Sequence, residues 1–517
     1  MQNRKMIKLK AGQIELSYEN GFLRQFIVNE TEVLRMIYFA VRDANWGNYE
    51  PRIFNEKITV QEDYFQINYD VEYFDKSAMF FQWKVNINGL KTNEITFEII
   101  GDTHQDFSTN RAGFCVLHPI ENVAGQSLEI IHSDGEIKPY FFPKYIAAHQ
   151  PFVDIMNMKW SVLGGEFEVN FEGDIFETED QRNWGDASFK TYCTPLSLPF
   201  PRALKMGDKV RQKVSFRMNK IEKNAINKAL PFKGKDLGWG AKNKPFQLGI
   251  CSSKDVENLS DNCIEKLKSL NISHYRIEVY PAEKDWEKPF LNQIEQGEKL
   301  DLALEIVIIF GNNFIQEFVN LHTLIKPKLL NIKYLTVLNK DTLITNQEVI
   351  DFIPSIKPLL GNIKIGVGTN YNFTEINRER FDAKDADFIA LSFDPQEHAN
   401  DDLTILENAE TVKYMVESIT EIYQKPVHFS PIILKRRFNP YATDKAAVNV
   451  SFENQMDSRQ KTDFLAKWTA LLLENLAKLG AESATLFQTV GELGIMDETG
   501  NEYPVFNEIK NYGNRNQ

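Results

Sequence analysis

Up to about residue 220, apolar and polar residues alternate with period two, as in FQINYDVEYF (65–74), MFFQWKVNING (79–89), EITFEIIGD (94–102), EFEVNFEGDIFE (166–177) and KVRQKVSFRMN (209–219). Alternation punctuated by Asn, Gly and Asp builds antiparallel sheet with one wet face, so the pattern predicts a β-sandwich domain over residues 1–220. The Gly- and Lys-rich stretch KGKDLGWGAKNKP (233–245) then reads as part of a linker spanning 221–245.

From Phe246 the rhythm changes. Short, nearly continuous apolar runs recur: FQLGICS, ISHYRIEVY, LALEIVIIF, IKYLTVLNK, IKIGVGTN, ADFIALSFD, KPVHFSPI and ESATLFQT. Between them lie segments with a spacing of three to four, such as VENLSDNCIEKLKSL and DFLAKWTALLLENLAKLG. Buried runs separated by helices predict parallel strands covered by helices, and eight of them over residues 246–497 predict a (β/α)8 TIM barrel. Residues 498–517 are left as a C-terminal tail that packs on the sandwich or frays. The expected fold class is therefore multidomain, all-β followed by α/β.

Composition narrows the function. With 59 basic against 72 acidic side chains the net charge is -13, which argues against nucleic acid or an anionic membrane surface as partner. No run approaches the ~20 apolar residues of a membrane helix, and the start of the sequence lacks the pattern of a secretory signal, so a cytoplasmic location is expected. The four cysteines show no CxxC spacing and fit reduced, buried thiols. No nucleophile elbow, P-loop or H-E-x-x-H motif occurs, and neither a cofactor nor a metal is expected.

Barrels of this kind carry their chemistry at the carboxyl ends of the strands. The second strand offers His274, Arg276 and Glu278, which at period two share one face. The third contains Glu305 amid β-branched residues, where a carboxylate needs a partner; Arg276 on the neighbouring strand is the expected one, as a structural pair or facing substrate. The fourth ends in Asn339 and Lys340. The fifth brings Asn370, Tyr371 and Asn372 together, equipment for a polyhydroxylated ligand or simply for a turn. The sixth ends in FDPQEHANDD (393–402), with Asp394 and His398 placed to form a base and its carboxylate, unless His398 is an idle loop residue. After the seventh come Lys435, Arg436 and Arg437, of which one is expected to point inward and hold an oxyanion or carboxylate. Asp457 is a helix cap or a ligand contact, Arg459 lies beside it, and the eighth strand supplies Gln488 and Glu492.

Several stretches together, YFAVRDANWGNYEP, RAGFCVLHP, AAHQPF, DQRNWGDASFKTYCTPL, GTNYNFTEINRER, FDPQEHANDD, SPIILKRRFNP and DSRQ, resemble the D-apionate lactonase family. The resemblance spans most of the chain. It implies a β-rich domain joined to a glycosidase-like barrel that hydrolyses D-apionolactone to D-apionate in catabolism of the branched sugar apiose. Gln488 departs from it, standing where the resemblance leads one to expect a glutamate. The N-terminal stretches add Arg42, Asp43, Asn45, Trp46, His118, His149, Arg182, Asn183, Trp184, Asp186 and Lys190, which either contact carbohydrate or fasten the sandwich to the barrel.

Lactone hydrolysis needs an activated water, an oxyanion donor and an acid for the leaving alkoxide. The expected assignment gives Asp394 and His398 the water, Lys435 or Arg437 the oxyanion, and Asn370, Tyr371 and Glu278 the hydroxyls. Glu305 and Glu492 complete the catalytic candidates, and Arg276, Asp457 and Gln488 the binding ones. The alternatives are a glycoside hydrolase drawing a carboxylate pair from Glu278, Glu305, Asp394 and Glu492, and a carbohydrate-binding protein that has lost its chemistry.

Overall fold

A computed structural model describes residues 6–44, 46–221, 246–254, 256–342, 344–442 and 445–515. The expected linker lies outside these apart from Ile221, as does Asn45. The described chain falls into two compact units. The first holds the residues up to Gln181, those from Ser188 to the end of the N-terminal sheets, and a short stretch at Tyr441; the second holds Arg182–Ala187 and the remainder.

In the first unit an eight-stranded and a nine-stranded sheet form, the neighbouring strands antiparallel. The strand Phe65–Asp75 buries every second residue, as the alternation predicts, and pairs along its whole length with Ala78–Leu90. Aromatic side chains join the sheets: Phe39 of one meets Trp83 and Phe97 of the other at ring distances of 6.1 and 6.0 Å, and Phe26 meets Phe216 at 5.3 Å. Each such pair adds ~0.5–1.5 kcal/mol to its area burial.

The second unit is a closed parallel barrel, and all eight predicted apolar runs are its strands: β1 (Gln247–Cys251), β2 (His274–Val279), β3 (Ala303–Phe310), β4 (Ile332–Asn339), β5 (Lys364–Gly368), β6 (Phe388–Phe393), β7 (Val427–Ile432) and β8 (Ser483–Val490). Closure comes from the parallel pairing of β1 with β8. Near-total burial of β2, β6 and β7 explains their unbroken apolar character. The helices α1 (Asp261–Lys268), α2 (Glu287–Lys299), α3 (Phe314–Ile325), α4 (Gln347–Leu360), α5 (Phe373–Arg378), α6 (Asp402–Asn408), α7 (Thr411–Tyr423), α8 (Phe452–Gln455) and α9 (Asp463–Leu479) lie in the connections. The tail is ordered rather than frayed: α10 (Pro504–Arg515) buries Val505, Phe506 and Ile509 and belongs to this unit. Among the described residues no helix is long and apolar enough to cross a membrane.

The barrel interior is partly polar. At its floor the Phe388 ring stacks on His428, 3.7 Å between centroids, and Tyr334 packs edge-on to both. Gly366 makes room: a Cβ there would lie 2.0 Å from the Phe388 ring. Above this floor His274 Nε2 lies 2.8 Å from Thr485 Oγ1 and 3.2 Å from Glu305 Oε2, and Thr485 donates to the same carboxylate oxygen at 2.6 Å.

Candidate active site

Because side chains of β2 alternate, His274, Arg276 and Glu278 all point inward and climb the barrel from floor to mouth. The register sets Arg276 beside Glu305. Their side chains nevertheless do not form the expected pair. Ser430 stands between them, accepting from Arg276 Nε at 2.7 Å and donating to Glu305 Oε1 at 2.6 Å. Arg276 extends upward, its Nη1 2.9 Å from Glu278 and its Nη2 3.1 Å from Asn370 Oδ1. Burial alone would raise the Glu305 carboxyl, but the hydrogen bond and charge of His274, with Arg276 and Ser430 behind them, bring it down to about 2. Glu305 is thus held ionised at the base of the site.

Glu278 is the centre of the mouth. Its side chain is 1% exposed, and it accepts from Lys254 at 2.6 Å, Arg437 at 2.7 Å, Arg276 at 2.9 Å and Asn370 Nδ2 at 3.1 Å. Burial works against its charge, yet Arg437, Lys254 and Arg276 hold its carboxyl well below the ordinary range. Asn370 is shared, its amide oxygen taking both arginines and its nitrogen serving Glu278. Glu278 and its three cations line a cavity of about 40 Å³ together with Cys251, Lys435, Gln488 and an apolar rim of Ile433, Leu434, Phe487 and Leu493, while Asn370 stands behind them. Among the described lining residues four side chains are basic and one is acidic, in a chain whose net charge is -13. A bulge in β8 explains why two consecutive residues, Phe487 and Gln488, both reach the cavity: Leu486 pairs with Ile250 and Gln488 with Cys251, and Phe487 takes a φ of 27°.

Lys435 and Arg437 both line the cavity, where one inward cation was expected, and Arg436 turns to Glu397 at 3.1 Å. Lys435 Nζ also donates to the Met456 carbonyl at 3.1 Å. Lys254, absent from the sequence-based candidates, lies three residues past β1, where the strand-end rule applies as well as it does to β2.

The remaining candidates are not among the residues that line this cavity. Asp394 and His398 are not partners. Asp394 is 3% exposed and packs against Glu397; burial first and that neighbouring charge second push its carboxyl well up. His398 Nδ1 instead lies 2.6 Å from Asp186 Oδ2. Tyr371 is buried and donates to Glu397 at 3.3 Å. Asp457 caps the turn Ser458–Lys461 and is bound by Arg459 at 2.7 and 2.8 Å and by Gln396 at 3.0 Å. Glu492 is exposed and paired with Lys461. Asn339 accepts from the Asn346 backbone at 2.9 Å, and Lys340 pairs with Glu283.

Of the N-terminal set, Arg42, Asp43 and Trp46 close a local turn, with Arg42 donating to the Trp46 carbonyl at 3.1 Å. His118 is buried between Thr191 and Trp160, and desolvation pushes it down to about 3, which suits a structural neutral imidazole. Lys190 pairs with Glu179, and His149 is exposed. Arg182, Asn183, Trp184 and Asp186 belong to the barrel unit.

The family model described as D-apionate lactonase, N-terminal domain, matches residues 1–221, and that described as D-apionate lactonase, TIM barrel domain, matches residues 248–516. A D-apionate lactonase from Brucella anthropi is 26% identical over 97% of this chain and 86% of its own length. Among solved structures, an endo-beta-1,4-mannanase from Thermotoga petrophila (12% identity, TM-score 0.33, 53% of this chain and 77% of that one) shows a loose likeness. So does a family 39 glycoside hydrolase from Bacteroides cellulosilyticus WH2 (10% identity, TM-score 0.35, 78% and 79%). Neither is close enough to bear on the chemistry.

Proposed function

Because the chain belongs to the D-apionate lactonase family, we propose that it hydrolyses a sugar-acid lactone, D-apionolactone to D-apionate or a close analogue, at the carboxyl-end mouth of its barrel. The observation that carries this reading is the cation cradle around Glu278. A lactone enters neutral, passes through an oxyanion and leaves as a carboxylate, so a site that favours the reaction presents fixed positive charge where negative charge develops. Lys254, Arg276, Lys435 and Arg437 supply it, and Glu278 and Asn370 keep the two guanidinium groups from drifting apart.

Glu278 does not serve as the base, since three cations stabilise its ionised form and leave it little affinity for a proton. Its part is to aim the cations. Water activation falls to His398, an imidazole with one nitrogen held by a carboxylate and the other without a partner among the described residues. The loop carrying it is tied to the cavity wall two residues earlier, where Gln396 donates to the Leu434 carbonyl at 2.6 Å. His398 takes a proton from water, hydroxide adds to the lactone carbonyl beside Arg437 and Lys435, and the ring oxygen leaves with the proton that His398 returns.

A glycoside hydrolase of the common kind needs two carboxyl groups about 5–9.5 Å apart across the bond it breaks. Glu278 is the one carboxylate among the described cavity residues, which supports the lactone over the glycoside. The test is acid release from D-apionolactone and a panel of aldonolactones, followed at constant pH beside chromogenic glycosides. Turnover of lactones alone is expected. Arg437→Ala should lower kcat/KM by ~10²–10³-fold, the worth of an oxyanion donor, and His398→Gln should lower kcat by ~10²-fold or more. Glycoside cleavage, or binding of lactones without turnover, overturns the reading.

A further inference from the structure

We infer that Asp186 is the positioning residue for His398, holding its ring so that Nε2 presents a lone pair to the attacking water. The inference rests on the reading of His398 as the base. Asp186 is 4% exposed, and its Oδ2 lies 2.6 Å from His398 Nδ1. Its other oxygen accepts from Asn408 Nδ2 at 3.1 Å. The same Asn408 donates to the Pro395 carbonyl at 3.0 Å and accepts from the Ala187 backbone at 2.9 Å, so one amide ties the Arg182–Ala187 segment to the loop bearing His398.

The segment passes close against that loop at one glycine. Gly185 has φ 100°, and a Cβ on it would lie 2.7 Å from the Asp394 carbonyl oxygen, so a residue without a side chain is required. Trp184 sets its ring edge-on to the imidazole at 5.5 Å, and the Arg378 guanidinium covers the indole at 5.0 Å. The imidazole is therefore held at Nδ1 by a carboxylate and packed perpendicular to an indole.

Its Nε2 takes no partner among the described residues, and the side chain keeps 18% of its surface exposed. A histidine serving only to brace two segments would be expected to engage both nitrogens or to be wholly buried, as His274 is. One engaged and one open nitrogen is the arrangement of a base whose tautomer is set from behind. With Nδ1 carrying the proton toward Asp186, Nε2 is free to accept one from water; the nearby carboxylate stabilises the imidazolium until the alkoxide takes that proton back.

Two measurements on the full chain test this. In nitrogen-15 histidine spectra of the unmodified protein, neutral His398 should be protonated at Nδ1 and bare at Nε2; the opposite tautomer overturns the inference without any variant. In kinetics, Asp186→Asn should cost at least ~10-fold in kcat, a portion of the ~10²–10⁴ a base supplies, with KM within about twofold, and Asp186→Glu should recover part of it. His398→Gln with undiminished kcat would remove the base assignment itself. His398→Gln impaired beside a folded, fully active Asp186→Asn would leave that assignment standing and overturn the role of Asp186.

Discussion

Glu278 accepts from three cations while its side chain is 1% exposed. Truncating it leaves those cations facing one another across a small cavity, and removing one partner from a buried ionic cluster costs ~3–5 kcal/mol. Lys254 is half-exposed and partly screened, which favours the lower end of that range. For a unit of this size ~3 kcal/mol corresponds to roughly 5 °C in Tm. Glu278→Ala should therefore melt earlier by that amount in a buffer without small anions, and millimolar acetate or the product carboxylate should restore part of the loss. An unchanged melting temperature would show that the cations do not need their anion. This residue was legible in the sequence as one of three polar positions on one face of a strand. Its partners Lys254 and Arg437 were half legible: strand-end position marks them, but nothing in a single sequence says which cation turns inward.

At the scale of elements, the polar column inside the barrel makes the fold sensitive to acid. Hydrogen bonds and charge outweigh burial and bring Glu305 to about 2, below the ~4.3 of a free glutamate. A folded-state value below the unfolded one means that stability is present above about pH 4.3 and is lost as pH falls through about 2, a swing of about 3 kcal/mol. Glu305→Gln should flatten the dependence of the barrel's urea midpoint on pH between about 5 and 2; a profile as steep as that of the unmodified protein would assign the acid sensitivity elsewhere. Gly366→Ala should be costly at every pH, because its Cβ would meet the Phe388 ring at 2.0 Å, and overpacking of this kind costs ~1–3 kcal/mol. The eight strands were readable because burial on both faces leaves a continuous apolar run. The partner of Glu305 was not, because register places Arg276 beside it while the length of the arginine side chain and the intervening Ser430 carry the guanidinium up to Glu278.

At the scale of the whole molecule, the family resemblance read from eight short stretches agrees with the family models that match both domains. The pairing of His398 lay beyond reach: its carboxylate is 212 positions away in a segment otherwise surrounded by β structure, whereas Asp394, four residues away, is turned into the interior against Glu397. Gly185 is where this long-range arrangement can be probed in the full chain. Gly185→Ala should push the segment off the Asp394 carbonyl and lower kcat at least as much as Asp186→Asn, and full activity in that variant would mean that the close approach is not needed.

Six residues of the barrel unit, Arg182–Ala187, are encoded amid the sheets of the first unit. Recombination by cutting between the two halves of the sequence would therefore not exchange independent modules. A chimaera that keeps this barrel but takes its amino-terminal half from elsewhere inherits a histidine whose tautomer nothing sets, unless the donor carries its own Trp-Gly-Asp at the corresponding place, and any shuffling of these enzymes has to treat that tripeptide as cargo of the barrel.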